Sequence, residues 1–192
     1  MSDLVWHFAS TRDGKPVLRD GRPLVIGKWL VHEGEARLCE SGLHASRRAL
    51  QALEYAPGDF VTLCEVEGIV SEDETKLVAL RRRPLWGFDA SHELRAFARI
   101  QAMGCLDRWT APPDVVDWLE TGDEDKRGAA ESAARSAARS AARSAAYSAA
   151  YSAAGSAAES AAESAAGSAA WSAANDVLES FLLTAAVDRG LF

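Results

Sequence analysis

The residues best suited to chemistry lie in one segment, Cys39-Glu40-Ser41-Gly42-Leu43-His44-Ala45-Ser46. A thiolate and an imidazole this close could ligate zinc or act as a nucleophile and its base. Cys64 and His32 are near enough in sequence to complete a ligand set. No paired C-x-x-C accompanies them, and isolated thiols are more often small buried hydrophobes. Arg81-Arg82-Arg83, followed by Trp86, could hold a phosphate or stack a base. A solvated strand end is the plainer reading of that run. Signatures of the P-loop, G-x-G-x-x-G, H-E-x-x-H and G-x-S-x-G kinds are missing from the sequence.

These residues must be positioned by a small mixed domain. The fold class expected is α+β, with a domain over residues 1–105, a helical connector and charged hinge over 106–128, and a repeat helix with an amphipathic end over 129–192. Strands are expected at 4–9, 27–32, 36–39, 60–66 and 76–80, the fourth being richest in β-branched and apolar residues. Ser46 is positioned to cap a helix carrying Ala49, Leu50 and Leu53, which Pro57-Gly58 would stop. After Pro84 the pattern turns helical: Ser91 begins one helix and Pro112-Pro113 precede another. Val177, Leu178, Phe181, Leu182, Ala185 and Ala186 have helical spacing and bulk, with Gly190 as C-cap, so this end should dock on something.

From residue 132 to 175 the chain is eleven tetrads of Ser-Ala-Ala plus one variable residue. Ala is the strongest helix former, and such a helix would be about 66 Å long. Gly155 and Gly167 would each cost about 1 kcal/mol relative to Ala, too little to force a break. Four residues overshoot one turn by about 40°, so neighbouring copies keep like faces together only by winding right-handedly. Folded about Tyr151, the variable residues are complementary: Arg143 meets Glu159, Arg139 meets Glu163, and Tyr147 meets Gly155, with Arg135 further out. An antiparallel coiled homo-oligomer is therefore expected through Arg135, Arg139, Arg143, Tyr147, Tyr151, Gly155, Glu159 and Glu163. An inert spacer and a hairpin folded at Gly155 are the competing readings.

The net charge of −7 argues against general nucleic-acid affinity. Serine at every fourth position keeps the repeat from reading as a membrane span. Three widely spaced cysteines, Cys39, Cys64 and Cys105, suit reduced thiols in a cytoplasmic protein, and no signal peptide is evident.

Two resemblances bear on function. The C-x-x-G-[Leu/Phe]-His-Ala motif at Cys39–Ala45, followed downstream by a Ser-Ala-Ala repeat, resembles a phage- and prophage-associated family. That resemblance covers about residues 6–67 plus the repeat, and it implies mobile-element origin but no activity. A second resemblance is to poly(ADP-ribose) polymerase-type ADP-ribosyltransferases. Trp6-His7-Phe8-Ala9-Ser10 looks like their first-strand motif, Gly42-Leu43-His44-Ala45-Ser46 like their second, and Tyr55 ends the helix after it. Leu63-Cys64-Glu65-Val66-Glu67-Gly68 resembles their next strand. The resemblance implies that His7 bonds the ribose of NAD, that His44 replaces a stacking tyrosine, and that Glu93 is the best candidate for the carboxylate. The alternative is that His7 and His44 are satisfied core or turn residues. The expectation is a non-enzymatic accessory protein, needing no cofactor, that self-assembles and displays its N-terminal domain to a protein partner. An NAD-using transferase is the second expectation.

Overall fold

The computed structural model describes residues 3–104, 106, 111–130, 132–133, 136 and 156–192, the stretch 156–169 by its backbone only. Two compact units emerge. The first joins Met1–Leu94 to Ala174–Phe192, and the second is Arg95–Ala173. The final helical turns thus belong with the N-terminal unit rather than with the repeat.

The fold is mixed α+β, built on a curled antiparallel sheet. Its strands are β1 (Asp3–Arg12), β2 (Lys15–Val17), β3 (Leu30–Val31), β4 (Leu43–Ala45), β5 (Phe60–Glu72) and β6 (Leu77–Asp89). Their order is β2-β1-β5-β6-β3, with β4 also paired to β6. Just beyond β4, Trp6 and Ser46 exchange backbone hydrogen bonds of 2.7 and 3.0 Å. That bridge returns the edge of the sheet to β1, so the sheet curls around Val5, Ala45, Cys64, Val66, Leu77 and Ala79.

The apolar run at 60–66 forms β5 as expected, but β6 corrects the expectation for residues 81–89. The strand continues through Arg81-Arg82-Arg83-Pro84 to Asp89, where helix was expected to begin. Pro84 is tolerated because it sits at a register shift opposite Cys64, where a ladder N–H is dispensable. The strand expected at 27–32 shrinks to β3. None forms at 36–39, where Cys39 adopts φ +69° in a turn closed by the Arg37–Ser41 bridge.

The helices are α1 (Ala49–Glu54), α2 (Ser91–Met103), α3 (Pro113–Thr121) and α4 (Ser156–Asp188). In the second unit, Val115, Leu119 and Ala130 form a small core, and α3 ends at Gly122 with φ +65°. In the first unit, Leu178, Leu182 and Ala186 of α4 are completely buried. Phe192 meets the Trp86 ring edge-on at 5.6 Å, and Arg189 lies over Phe88. The expected docking of this end thus occurs within its own chain. At Gly190 (φ +66°) the Leu191 N–H reaches back to the Ala186 carbonyl, the wrap that closes a helix on a left-handed residue.

Helix α1 shows why docking matters. Ser46 does not cap it; Arg48 stands at the N-cap without a side-chain cap bond. Its first free N–H groups are satisfied from 125 and 130 residues away: Leu50 donates to the Asn175 side chain and Ala49 to Glu179, each at 2.9 Å. Arg48 adds ion pairs to Asp176 and Glu179.

Candidate functional site

Period-two alternation sorts the paired strands β1, β5 and β6 into two faces. On one face, Trp6 and Trp86 meet edge to face at 5.9 Å, and Trp86 stacks on Phe88 at 6.1 Å. Arg81 and Arg83 share that side of the β5–β6 ladder. They stand opposite Glu67 and Glu65 in register, form ion pairs with them, and both lie against the Trp29 ring. The run of three arginines is therefore not one cationic patch, and its outer members are neutralised.

The opposite face carries His7, Thr62, Cys64 and Arg82. It opens into a cleft of about 620 Å³. β1 supplies His7, the turns before β4 supply Cys39 and Gly42, β4 supplies His44, α1 supplies Ala52 and Tyr55, and β6 supplies Lys76 (just before it) and Arg82. The segment after β2 adds Arg19, Asp20 and Arg22.

The hydrogen-bond pattern fixes the imidazoles. Thr62 donates its hydroxyl hydrogen to the His7 carbonyl at 2.9 Å and lies 3.3 Å from His7 Nδ1. With that proton committed, the consistent assignment has His7 Nδ1–H donating to Thr62, leaving Nε2 as acceptor. Burial, and then the charges of Arg82 and Arg19, hold His7 well below its ordinary pKa, so it is neutral at pH 7. His44 Nε2 accepts the Cys39 N–H at 3.0 Å, pinning the turn. Burial lowers its pKa too, against an opposing contribution from the Gly42 carbonyl. Gly42 has φ +113°, and a Cβ there would stand 2.5 Å from Val78 Cγ2, so the turn requires glycine.

Arg82 is the anomaly. It is 3 % exposed, its guanidinium reaches the His44 carbonyl, and its Nε has no partner. No carboxylate pairs with it among the described residues. Burial pushes its pKa below the usual arginine value. The same burial raises the pKa of the Cys64 thiol, which is neutral beside Thr62.

Among the residues expected to act, His7 and His44 are brought together in the cleft. Glu93 is not: it lies at the start of α2, 7 % exposed, paired with Arg189 at 2.9 Å. Of the cleft's carboxylates, Asp20 is held by Arg22 at 2.7 Å, whereas Glu40 is exposed and 3.8 Å from Arg37, which hydrogen-bonds Glu35 instead. Cys39 is exposed and Cys64 is in the core, and no cluster of three metal-ligating side chains exists among the described residues. The pairing residues Arg135, Arg139, Arg143, Tyr147, Tyr151 and Gly155 lie outside the described residues, as do the side chains of Glu159 and Glu163. Among the described residues, no helix is long and apolar enough to cross a membrane. In the sequence, Arg82 is masked by the arginines on either side of it. The alternation of Glu65 and Glu67 opposite them was the available signal.

Residues 20–96 match a protein family described as a domain of unknown function (DUF7666). The match takes in Arg22, His44 and Arg82 but stops short of β1 with His7, and of α4. No curated protein and no solved structure matches the chain.

Proposed function

We propose that the N-terminal unit is a non-enzymatic binding module whose cleft takes a small ligand, and that the tetrad repeat assembles copies of it. Its setting is that of a phage-type accessory protein acting in the host cytoplasm, with an additional protein partner. The observation that carries the reading is a large cleft lined by neutral imidazoles and cations, whose two carboxylates are both exposed, one of them held by Arg22. Such a site can hold and orient a ligand. Its lining carboxylates, Asp20 and Glu40, are exposed rather than buried where acid–base work or stabilising a developing cation would need them.

The repeat supports the assembly half. An Ala-rich seam buries little alone and gains most when copies pack closely. Exposed Arg–Glu pairs contribute about 0.2–1 kcal/mol each, so they set antiparallel orientation rather than affinity. Copies joined this way present several clefts at high effective concentration. Size-exclusion chromatography with light scattering on the full chain tests this: an oligomer that weakens with salt is expected, and a strict monomer at high concentration and low salt contradicts it.

ADP-ribosyl transfer from NAD is a second reading, favoured by His7 and His44 lining one cleft. In it, His7 Nε2 would accept a ribose hydroxyl. Glu93, held by Arg189 and absent from the cleft lining, argues for binding without turnover. Thermal shift with NAD, repeated on His7→Ala, separates the two: stabilisation without nicotinamide release supports a binding site, whereas NAD consumption lost in His7→Ala supports the enzyme.

A further inference from the structure

The cleft's charge identifies the chemistry of its ligand. Three of its cations, Arg82, Arg19 and Lys76, have no carboxylate partner among the described residues. Arg19 donates to the Tyr55 backbone carbonyl at 3.0 Å, and Lys76 lies 4.4 Å above the Tyr55 ring and hydrogen-bonds the Cys39 side chain. None of these contacts pairs the cation with a carboxylate. Arg82 is more demanding, because a guanidinium withdrawn from water and left without a counter-anion is costly to keep. Arg81 and Arg83 show how this same strand treats arginines that need only a structural partner: a glutamate stands directly across the ladder. Across from Arg82 stands Val66. The cleft carboxylate that acts on Arg82, Asp20, is itself tied to Arg22, so among the described residues the charge of Arg82 is left for an anion bound in the cleft.

We infer that the cleft takes a phosphorylated small molecule, its phosphate or diphosphate group set against Arg82 and flanked by Arg19 and Lys76. The inference rests on the reading of the cleft as a binding site and adds the class of ligand. Guanidinium groups suit phosphate because their fixed fork of N–H donors matches its oxygens. The neutral state of His7 and His44 leaves the anion to the three cations and frees His7 Nε2 to accept a hydroxyl from the rest of the ligand. Tyr55, just after α1, lines the cleft beside Lys76 and borders the space left for that remainder.

The test uses the full chain at neutral pH and low salt, with pyrophosphate as the anionic probe and adenosine as the neutral one, monitored by ¹H–¹⁵N NMR. Pyrophosphate should shift signals of cleft residues, and affinity should weaken several-fold in high salt, as screened charge requires. Arg82→Met should lower affinity at least tenfold, and Arg19→Ala about threefold, equivalent to about 1.4 and 0.7 kcal/mol. Arg19 is exposed, so its variant tests the inference even if Arg82→Met fails to fold. Absence of cleft shifts with pyrophosphate at about 20 mM, far above a millimolar Kd, overturns the inference. Cleft shifts from adenosine alone would overturn the phosphate assignment while leaving the binding reading intact. No cleft shift with either probe would overturn both.

Discussion

The two faces of the β5–β6 hairpin treat the same residue type in opposite ways. On one face Arg81 and Arg83 each have a glutamate across the ladder and an indole beneath them. On the other, one residue away, Arg82 is buried with an unpartnered Nε and, among the described residues, no carboxylate paired with it. The first face is paired within the chain, and Arg189 and Phe192, just past α4, cover its aromatic cluster. On the proposed reading, a bound anion completes the second. Mutations on the closed face should therefore change stability, and mutations in the cleft should change binding.

The largest stability effect should come from Leu182→Ala. This side chain is 0 % exposed, and its loss should cost about 2–5 kcal/mol in denaturant unfolding. A loss below about 1 kcal/mol would mean that α4 is not part of the N-terminal unit's core. Glu179→Ala comes next, at about 1–2 kcal/mol, because it removes the cap on Ala49 together with a partner of Arg48. Hydrogen exchange should quicken at Ala49 and Leu50 before it does in β5. Uniform quickening would contradict local capping.

Acid should act through the cleft. His7 ionises less readily when folded than its ordinary value of 6.5, so the unfolded chain binds the proton first. Its contribution to stability is fully present above about pH 6.5 and falls as the pH drops below it. Melting temperature measured from pH 7.5 to pH 5.5 should decline in the wild type and decline less in His7→Gln. Parallel profiles would place the titration elsewhere. The smallest effect is expected for Arg81→Ala: within about 1 kcal/mol in stability, because its ion pair with Glu67 is roughly half exposed, and none on binding.

Much of this arrangement is legible in local pattern. The β-branched run makes β5, Ser91 and Pro113 mark helix starts, Gly190 marks a stop, and the His7 and His44 motifs converge on one cleft. What is not legible depends on distant partners. α1 has no cap of its own because Asn175 and Glu179 provide it from the far end of the chain. β6 hides its strand character behind three arginines and a proline, which only pairing with Glu65 and Glu67 explains. Glu93 has the right order in sequence for a catalytic carboxylate, but Arg189 claims it. The strand expected at 36–39 is lost to the left-handed conformation of Cys39, which lets the turn reach His44.

The contrast between the two faces reduces to Arg82. Pyrophosphate affinity and melting temperature should be measured together on Arg82→Met in the full chain. A buried guanidinium without a counter-anion weakens the free protein, so its removal should leave the melting temperature unchanged or raise it, while affinity falls at least tenfold. A melting temperature lowered by many degrees, with affinity of the folded fraction retained, would show that Arg82 is there to hold the fold and contradict its assignment to a ligand.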